Sequence, residues 1–194
     1  MKKKLTKYAV LASGNGTTLQ AIINAIKKKK LNAEIKIVIS NNSDAYALTR
    51  AKKAGIETYV LKDHKDNQEL YNILKESDID LVILAGYLKL IPVNVIKDFT
   101  IINTHPALLP SKYGGKGMYG MNVHRAIVEN HEKVTGVTLH FVNEEYDKGR
   151  IIAQTKARVF KRDTPEDVSA RVQKKEKIQL INALIDFSNG KIDV

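Results

Sequence analysis

Short apolar runs alternate with amphipathic segments through the first half of the chain. Runs of this kind, bounded by turn signals, are typical of strands buried on both faces. The runs that we interpret as strands are Tyr8–Ala12, Ile35–Ser40, Thr58–Leu61, Ile79–Gly86 and Ile101–Asn103. The segments between them that we interpret as helices are Leu19–Ile26, Asp44–Ala54, Asn67–Glu76 and Val93–Phe99. Strands that alternate with helices through short connections predict βαβ units and a mostly parallel sheet.

The pattern changes after His105, where a stretch rich in glycine and lysine replaces the alternation. The elements predicted beyond it are a helix at Val123–Asn130, strands at Val134–Val142 and Ile151–Phe160, and a helix from Pro165 to about Ser188. We expect the two strands to pair antiparallel. The sequence therefore predicts an α/β fold with a mostly parallel twisted sheet flanked by helices and with antiparallel strands in the C-terminal part. We expect residues 1–194 to form a single domain.

The composition narrows the class of protein. An apolar fraction of 43% is too high for a disordered chain, and no stretch approaches the ~18 consecutive apolar residues of a membrane-spanning helix. The basic start leads into a strand-like run and does not resemble a signal peptide, so we expect a cytoplasmic protein with no membrane partner. The absence of cysteine excludes disulfides, thiolate catalysis and cysteine-ligated metal centres.

The net charge of +11 comes mainly from one end of the chain. Residues 1–30 carry eight lysines and no acidic residue, whereas the remainder is close to balanced. Nucleic-acid binding would need a recognition motif or aromatic residues interleaved with the basic ones, and neither is present. We therefore interpret the lysines as a solvated surface and expect no nucleic-acid partner, although a basic surface would help to attract small anionic substrates.

A loop with two glycines separates the first predicted strand from the first predicted helix. Backbone N–H groups in such a loop, together with the helix N-terminus, can bind a phosphate. The spacing Ser13-Gly14-Asn15-Gly16-Thr17-Thr18 matches neither the dinucleotide-binding fingerprint nor the P-loop of nucleotide hydrolases. This pattern disfavours a nicotinamide-dependent oxidoreductase and favours a simple phosphomonoester as ligand.

Polar residues also follow two later strands. Asn103 and His105 are two residues apart in an extended segment, so they point the same way and can donate to one developing oxyanion. Histidine can also transfer a proton near neutral pH. A later loop carries Glu144, Glu145 and Asp147, and a carboxylate is the usual partner that orients a catalytic histidine. The sequence alone leaves open which of the three acids reaches the histidine.

Four segments in this order resemble the folate-dependent formyltransferases. They are Ser13–Gln20, Leu84–Ile91, Asn103–Pro110 and His140–Gly149, and the resemblance extends from residue 6 to about residue 176. It is closest to the members that formylate glycinamide ribonucleotide, N1-(5-phosphoribosyl)glycinamide, in de novo purine (IMP) biosynthesis. The resemblance implies a Rossmann-like fold, 10-formyltetrahydrofolate as co-substrate and no metal. It leaves open whether the protein is a monomer or a homodimer.

The resemblance also implies roles for single residues. Gly16, Thr17 and Thr18 would hold the substrate phosphate, and Gln173 with Glu176 would contact the ribose. The residues implied to line the folate site are Leu88, Lys89, Leu90, Ile91 and Asn103.

The catalytic residues implied by the resemblance are Asn103, His105 and Asp147. The first two would stabilise the tetrahedral oxyanion, with His105 as general acid, and Asp147 would hold His105 in its protonated form. An arginine that often touches folate in the family corresponds here to Asn67, with Lys65 nearby. The loop Lys112–Gly120 is longer than in many members, and its glycines predict mobility.

Relatives that share the Asn-x-His and Asp residues remain as alternatives, because those residues do not tell them apart. They include other formyltransferases that use the same folate and a hydrolase of the same folate. Such relatives usually carry an additional domain, for which we expect no room in this chain.

Overall fold

The computed structural model describes residues 5–63 and 67–192. The predictions that concern Lys65 and the lysines at positions 2–4 lie outside the described residues. Two compact units are present, one of residues 5–102 with 184–192 and one of residues 103–183. This division does not test the single-domain prediction, which stays a prediction.

The first unit contains the alternating part of the chain. Its strands are β1 (Thr6–Leu11), β2 (Ala33–Ser40), β3 (Glu57–Val60) and β4 (Leu81–Leu84), followed by the start of β5 (Ile101–His105). Its helices are α1 (Thr17–Lys27), α2 (Tyr46–Lys53), α3 (Asn67–Glu76) and α4 (Val93–Asp98). The strand order is β3-β2-β1-β4-β5, and β1 pairs in parallel with β2 and β4.

Burial explains why these segments form these elements. All four residues of β4 and the last four of β1 are buried, as expected for strands covered on both faces. Helix α1 buries Leu19, Ile22 and Ile23 along one face. Its C-terminal end leads into the exposed lysines 27–30, where positive charge suits the helix dipole.

The second unit contains the rest of the sheet and its own core. Its elements are the remainder of β5, helix α5 (Met121–Glu129), strands β6 (Val134–Phe141) and β7 (Ile151–Arg158), and most of α6 (Pro165–Ser188). The strand order is β5-β6-β7, with β7 outermost and antiparallel to β6. The core residues are Ala107, Tyr113, Val123, Ile127, Val137, Ala157, Val168 and Val172.

Helix α6 begins at a capping box. The Thr164 hydroxyl oxygen accepts a hydrogen bond from the Asp167 N–H at 3.2 Å, and an Asp167 carboxylate oxygen accepts one from the Thr164 N–H at 3.0 Å. Pro165 occupies the first helical position, where no N–H is needed. The start predicted from the sequence is therefore confirmed.

The predicted fold class is confirmed: the sheet is mixed and mostly parallel, with antiparallel strands in the C-terminal part. Most predicted boundaries differ from the observed ones by one or two residues, and the differences in two strands bear on the site. Strand β4 spans only Leu81–Leu84, and β5 extends to His105, which therefore ends the strand and does not follow it. None of the helices in the described ranges has both the length and the apolar character needed to cross a bilayer.

Candidate active site

Four polar side chains meet in the second unit. His105 Nδ1 lies 3.4 Å from Asp147 Oδ2, and Asp147 Oδ1 lies 3.5 Å from His140 Nε2. His140 Nε2 lies 3.2 Å from Asn103 Nδ2. Because Asn103 and His105 are two residues apart in β5, their side chains leave the same face of the strand. Three of the predicted site residues are thus brought into one group, with His140 as a fourth member.

Asp147 is the acid that reaches the histidine. Glu144 and Glu145 are exposed, and Glu145 pairs with Lys148. Asp147 adopts φ of 57°, a left-handed conformation that aspartate tolerates better than most residues. Its Oδ2 also accepts a hydrogen bond from the Gly115 N–H at 2.7 Å. The turn and this contact together fix the carboxylate beside the imidazole.

A backbone carbonyl determines which nitrogen of the His105 ring carries the hydrogen. His105 is 4% exposed, and its Nε2 lies 2.6 Å from the carbonyl oxygen of Tyr113. Since a carbonyl can only accept, Nε2 carries a hydrogen and donates it. In the neutral ring Nδ1 is then the unprotonated nitrogen, and it faces Asp147. A proton arriving at Nδ1 would be stabilised by that carboxylate.

Burial and the neighbouring polar groups shift the pKa values of His105 and Asp147 in opposite directions. Burial lowers the pKa of His105 below its ordinary value, and the negative charge of Asp147 and the Tyr113 carbonyl only partly offset that effect. Burial alone would raise the pKa of Asp147, but the contacts with His140 and His105 and the Gly115 N–H lower it overall. At neutral pH the pair therefore rests as a neutral imidazole beside a carboxylate.

His140 orients the Asn103 amide. His140 Nδ1 lies 2.8 Å from the Phe141 carbonyl oxygen and must donate to it, so in the neutral ring Nε2 is an acceptor. In that neutral ring Nε2 accepts one N–H of Asn103, which leaves the second N–H of the amide for another acceptor, whereas only a protonated ring can donate from Nε2 to Asp147 Oδ1. The sequence reasoning gave His140 no role. His140 and Thr138 are polar residues two positions apart on the buried part of β6, so they lie on the same face of the strand. That pattern is the signal that could have identified His140.

The loop Lys112–Gly120 contacts the site through Tyr113 and Gly115. The Tyr113 hydroxyl donates to Glu132 Oε1 at 2.6 Å, and burial together with Glu132 raises the pKa of Tyr113 to about 12. Tyr113 also belongs to the core of the second unit. This anchor fixes the residue whose carbonyl holds the His105 ring.

A buried hydroxyl holds the segment that follows His105. Thr138 Oγ1 donates to the Ala107 carbonyl at 2.7 Å and accepts from the Leu109 N–H at 3.0 Å. Gln154 Nε2 lies 2.9 Å from the same hydroxyl and 2.6 Å from the Leu109 carbonyl oxygen. This network ties the chain after β5 to β6 and β7.

His124 is a third buried histidine, on α5. It is 3% exposed, and its Nδ1 is buried without a hydrogen-bond partner among residues 5–63 and 67–192. Burial, with a smaller contribution from His105, lowers the pKa of His124 to about 4. The imidazole is therefore neutral at neutral pH.

The two predicted ribose contacts lie on α6, also in the second unit. Glu176 Oε1 accepts a hydrogen bond from the Thr104 hydroxyl at 3.1 Å, which places it beside the strand that carries Asn103 and His105. Gln173 is exposed, and its amide donates to the Ser169 hydroxyl at 3.2 Å.

The predicted phosphate loop and folate segment lie in the first unit. Gly16 has φ of 65° and caps α1, Thr18 is 8% exposed, and Thr17 is exposed. Leu88 and Leu90 are about half exposed, at 50% and 53%, Lys89 is exposed, and Ile91 is buried. Ser13 connects the loop and the segment, because its hydroxyl accepts from the Leu88 N–H at 3.0 Å and donates to Asn41 Oδ1 at 2.6 Å.

Within the described residues, no group of three or more histidine, cysteine or acidic side chains is placed to hold a metal ion. Asn67, the first residue of α3, accepts a hydrogen bond on its backbone carbonyl from the Asn94 amide.

Comparisons with known proteins point to one family. A family model described as formyl transferase matches residues 6–184. The phosphoribosylglycinamide formyltransferase of Escherichia coli (strain K12) is 37% identical over 94% of this chain and 87% of its own length. The chloroplastic protein of that name from Arabidopsis thaliana is 41% identical over 88% of this chain, which covers 61% of that protein's length. The crystal structure of glycinamide ribonucleotide transformylase 1 from Symbiobacterium toebii matches with a TM-score of 0.89 at 32% identity, covering 98% of this chain and 91% of the other.

Proposed function

Since this chain belongs to the formyl transferase family, we propose that it transfers the formyl group of 10-formyltetrahydrofolate to the amine of N1-(5-phosphoribosyl)glycinamide. The products are the N-formyl compound and tetrahydrofolate, and the reaction belongs to de novo purine biosynthesis. Relatives named for this activity match most of the chain, which supports the choice of substrates. The cytoplasmic location and a monomeric or homodimeric state are parts of the same proposal.

The observation that carries the proposal is the meeting of Asn103, His105 and Asp147 in one unit. Formyl transfer needs donors for an oxyanion and a group that moves one proton, and this group supplies both. The Asn103 amide has one N–H committed to His140 and one left over. His105 Nδ1 is unprotonated in the neutral ring, and Asp147 Oδ2 lies 3.4 Å from it.

The chemistry balances with these residues alone. The substrate amine attacks the formyl carbon, a C–N bond forms, and the carbonyl electrons move to oxygen as an oxyanion. Donors such as the Asn103 amide stabilise that charge, each by about 3–4 kcal/mol in comparable sites. The bond to the folate nitrogen then breaks, and that nitrogen takes up the proton that the amine loses.

His105 is suited to carry that proton. Its pKa is lowered by burial, so the resting ring is neutral and can accept a proton at Nδ1. Asp147 at 3.4 Å stabilises the resulting imidazolium, which then acts as the general acid toward the folate nitrogen. In this proposal Asp147 stabilises the protonated ring during turnover, and the ring is neutral in the free protein.

The binding roles complete the proposal. The loop residues Gly16, Thr17 and Thr18 would bind the phosphate, because backbone N–H groups at the start of α1 favour an anion. The exposed apolar side chains of Leu88 and Leu90 would contact the pterin, and Glu176 would contact the ribose.

The test is a turnover assay with purified protein. Glycinamide ribonucleotide and a 10-formylfolate analogue should give the absorbance change of the deformylated folate. Asp147→Asn should lower kcat by roughly 10²–10⁴-fold, as expected when a proton-transfer group is lost. Glu144→Gln is the matched control, since Glu144 is an exposed carboxylate of the same loop, and it should keep the wild-type rate.

Two results would contradict the proposal. The first is the absence of turnover by the wild-type protein. The second is an unchanged rate when the ribonucleotide is omitted, because that result would identify a hydrolase in place of a transferase.

A further inference from the structure

Helix α2 supports the predicted phosphate loop from one side. The Ala47 N–H donates to the Gly14 carbonyl at 3.0 Å. A Cβ atom at Gly16 would come within 2.7 Å of the Cα and Cβ atoms of Ala47. The loop therefore rests directly on the first turn of α2.

Arg50, one turn further along α2, binds the loop with its guanidinium. Arg50 Nε donates to the Asn15 carbonyl at 2.8 Å, and Nη1 donates to Gln20 Oε1 on α1 at 3.1 Å. Its Cζ lies 4.8 Å from the centroid of the Tyr46 ring, a cation–π contact that restrains the side chain. The guanidinium thus joins the loop, α1 and α2.

The contact with the Asn15 carbonyl determines which way the next N–H points. In a trans peptide the C=O and the following N–H lie on opposite sides of the chain. Holding the Asn15 carbonyl toward Arg50 therefore directs the Gly16 N–H away from it. The Gly16 N–H precedes the first turn of α1, whose N–H groups have no partner within the helix.

No acidic side chain in the described part of the chain neutralises the charge of Arg50. Among the described residues it makes no ion pair, and its Nη2 donates to none of them. The side chain is partly exposed. A cation with an uncommitted donor next to the loop favours a dianion there.

We propose that Arg50 is a positioning residue for the phosphate end of the ribonucleotide, because it fixes the Asn15–Gly16 peptide so that its N–H faces the anion and adds an uncompensated positive charge. This inference rests on the proposed function for the identity of the substrate. The role of Arg50 in binding a phosphate group does not depend on that identity and can be measured separately.

The test compares Arg50→Met, Arg50→Lys and the control Lys53→Met. Lys53 is an exposed cation at the end of α2, so its variant removes the same charge without touching the loop. We expect Arg50→Met to raise the KM for glycinamide ribonucleotide about tenfold, the ratio that about 1.4 kcal/mol of binding free energy gives, with a smaller change in kcat. The KM for the folate should stay unchanged.

The two other variants define what Arg50 contributes. Arg50→Lys keeps the charge but loses the fork that spans Asn15 and Gln20, so it should show an intermediate KM. Lys53→Met should match the wild type. Circular dichroism spectra and melting temperatures of all variants establish that each protein is folded.

A second measurement needs no turnover. The dissociation constant for inorganic phosphate, measured by calorimetry, should rise in Arg50→Met in parallel with the KM. If the wild type turns over but Arg50→Met leaves the KM and the phosphate affinity unchanged, the role of Arg50 is refuted. If kcat falls while KM stays constant, that role is refuted as well. If the wild type does not turn over, the proposed function fails. The role of Arg50 is then tested only by comparing the phosphate dissociation constants of the wild type and Arg50→Met.

Discussion

The buried imidazole of His124 should make the protein lose stability in acid. Its pKa of about 4 in the folded protein compares with 6.5 for an ordinary histidine. Between these values the unfolded chain binds a proton that the folded protein does not bind, so the free energy of unfolding falls as the pH falls. Above the ordinary value both states are unprotonated, and His124 contributes no pH dependence there.

The size of the effect follows from the difference between the two pKa values. Each unit corresponds to about 1.36 kcal/mol, so the unfolding free energy lost through His124 is about 3 kcal/mol by pH 4 and about 2 kcal/mol by pH 5. A loss of this size is a large fraction of the roughly 5–15 kcal/mol by which proteins are stable. His105 and Asp147 have lowered pKa values and change stability in the same direction. A variant that removes only His124 is therefore needed to separate its contribution.

The assay is urea unfolding at a series of pH values, followed by circular dichroism because the chain has no tryptophan. His124→Gln should flatten the curve of unfolding free energy between about pH 4 and pH 6.5 relative to the wild type. Any stability lost through packing shifts the whole curve and leaves this difference in slope intact. His131→Gln, which removes an exposed imidazole at the end of α5, should keep the wild-type slope. Parallel curves for the wild type and His124→Gln would refute the reasoning.

Two further substitutions test the packing around the proposed sites. Thr138→Val removes the hydroxyl that bonds the Ala107 carbonyl and the Leu109 N–H, and it should cost about 2–4 kcal/mol in urea unfolding, whereas Thr138→Ser should recover most of that loss. Gly16→Ala places a Cβ against Ala47 at a positive φ, so it should lower the unfolding free energy by about 1–3 kcal/mol and raise the KM for the ribonucleotide more than the KM for the folate. A fully stable Thr138→Val, or a Gly16→Ala variant with unchanged KM, would contradict these expectations.

The sequence predicts most of the fold because its strongest patterns are local. The apolar run that forms β4 and the spacing of Leu19, Ile22 and Ile23 depend only on which faces are buried. Boundaries are less certain, since they depend on contacts between distant residues. Ile79 and Asp80 were predicted as part of this strand but lie before β4, and Asp80 is held there by Lys7, whose carbonyl accepts from the Asp80 N–H at 2.8 Å and whose N–H donates to Asp80 Oδ2 at 2.8 Å.

The sequence predicted the side chains of the candidate site, but it did not predict the backbone groups that hold them. Asn103 and His105 are visible from their position on β5, and Asp147 from the resemblance. The Tyr113 carbonyl that holds the His105 ring has no signature in the sequence, because every residue carries a carbonyl. Arg50 was missed for a related reason: its partner is the backbone of Asn15, and a lone arginine on a helix is usually solvated.

The outer position of β7 bears on how the protein behaves at high concentration. A strand at the end of a sheet exposes backbone groups that a second chain can pair with, which is a common first step of aggregation. Lys156 and Arg158 are exposed on this strand. Another copy approaching in register would bring like charges together, so the edge discourages the self-association that an apolar outer strand would invite.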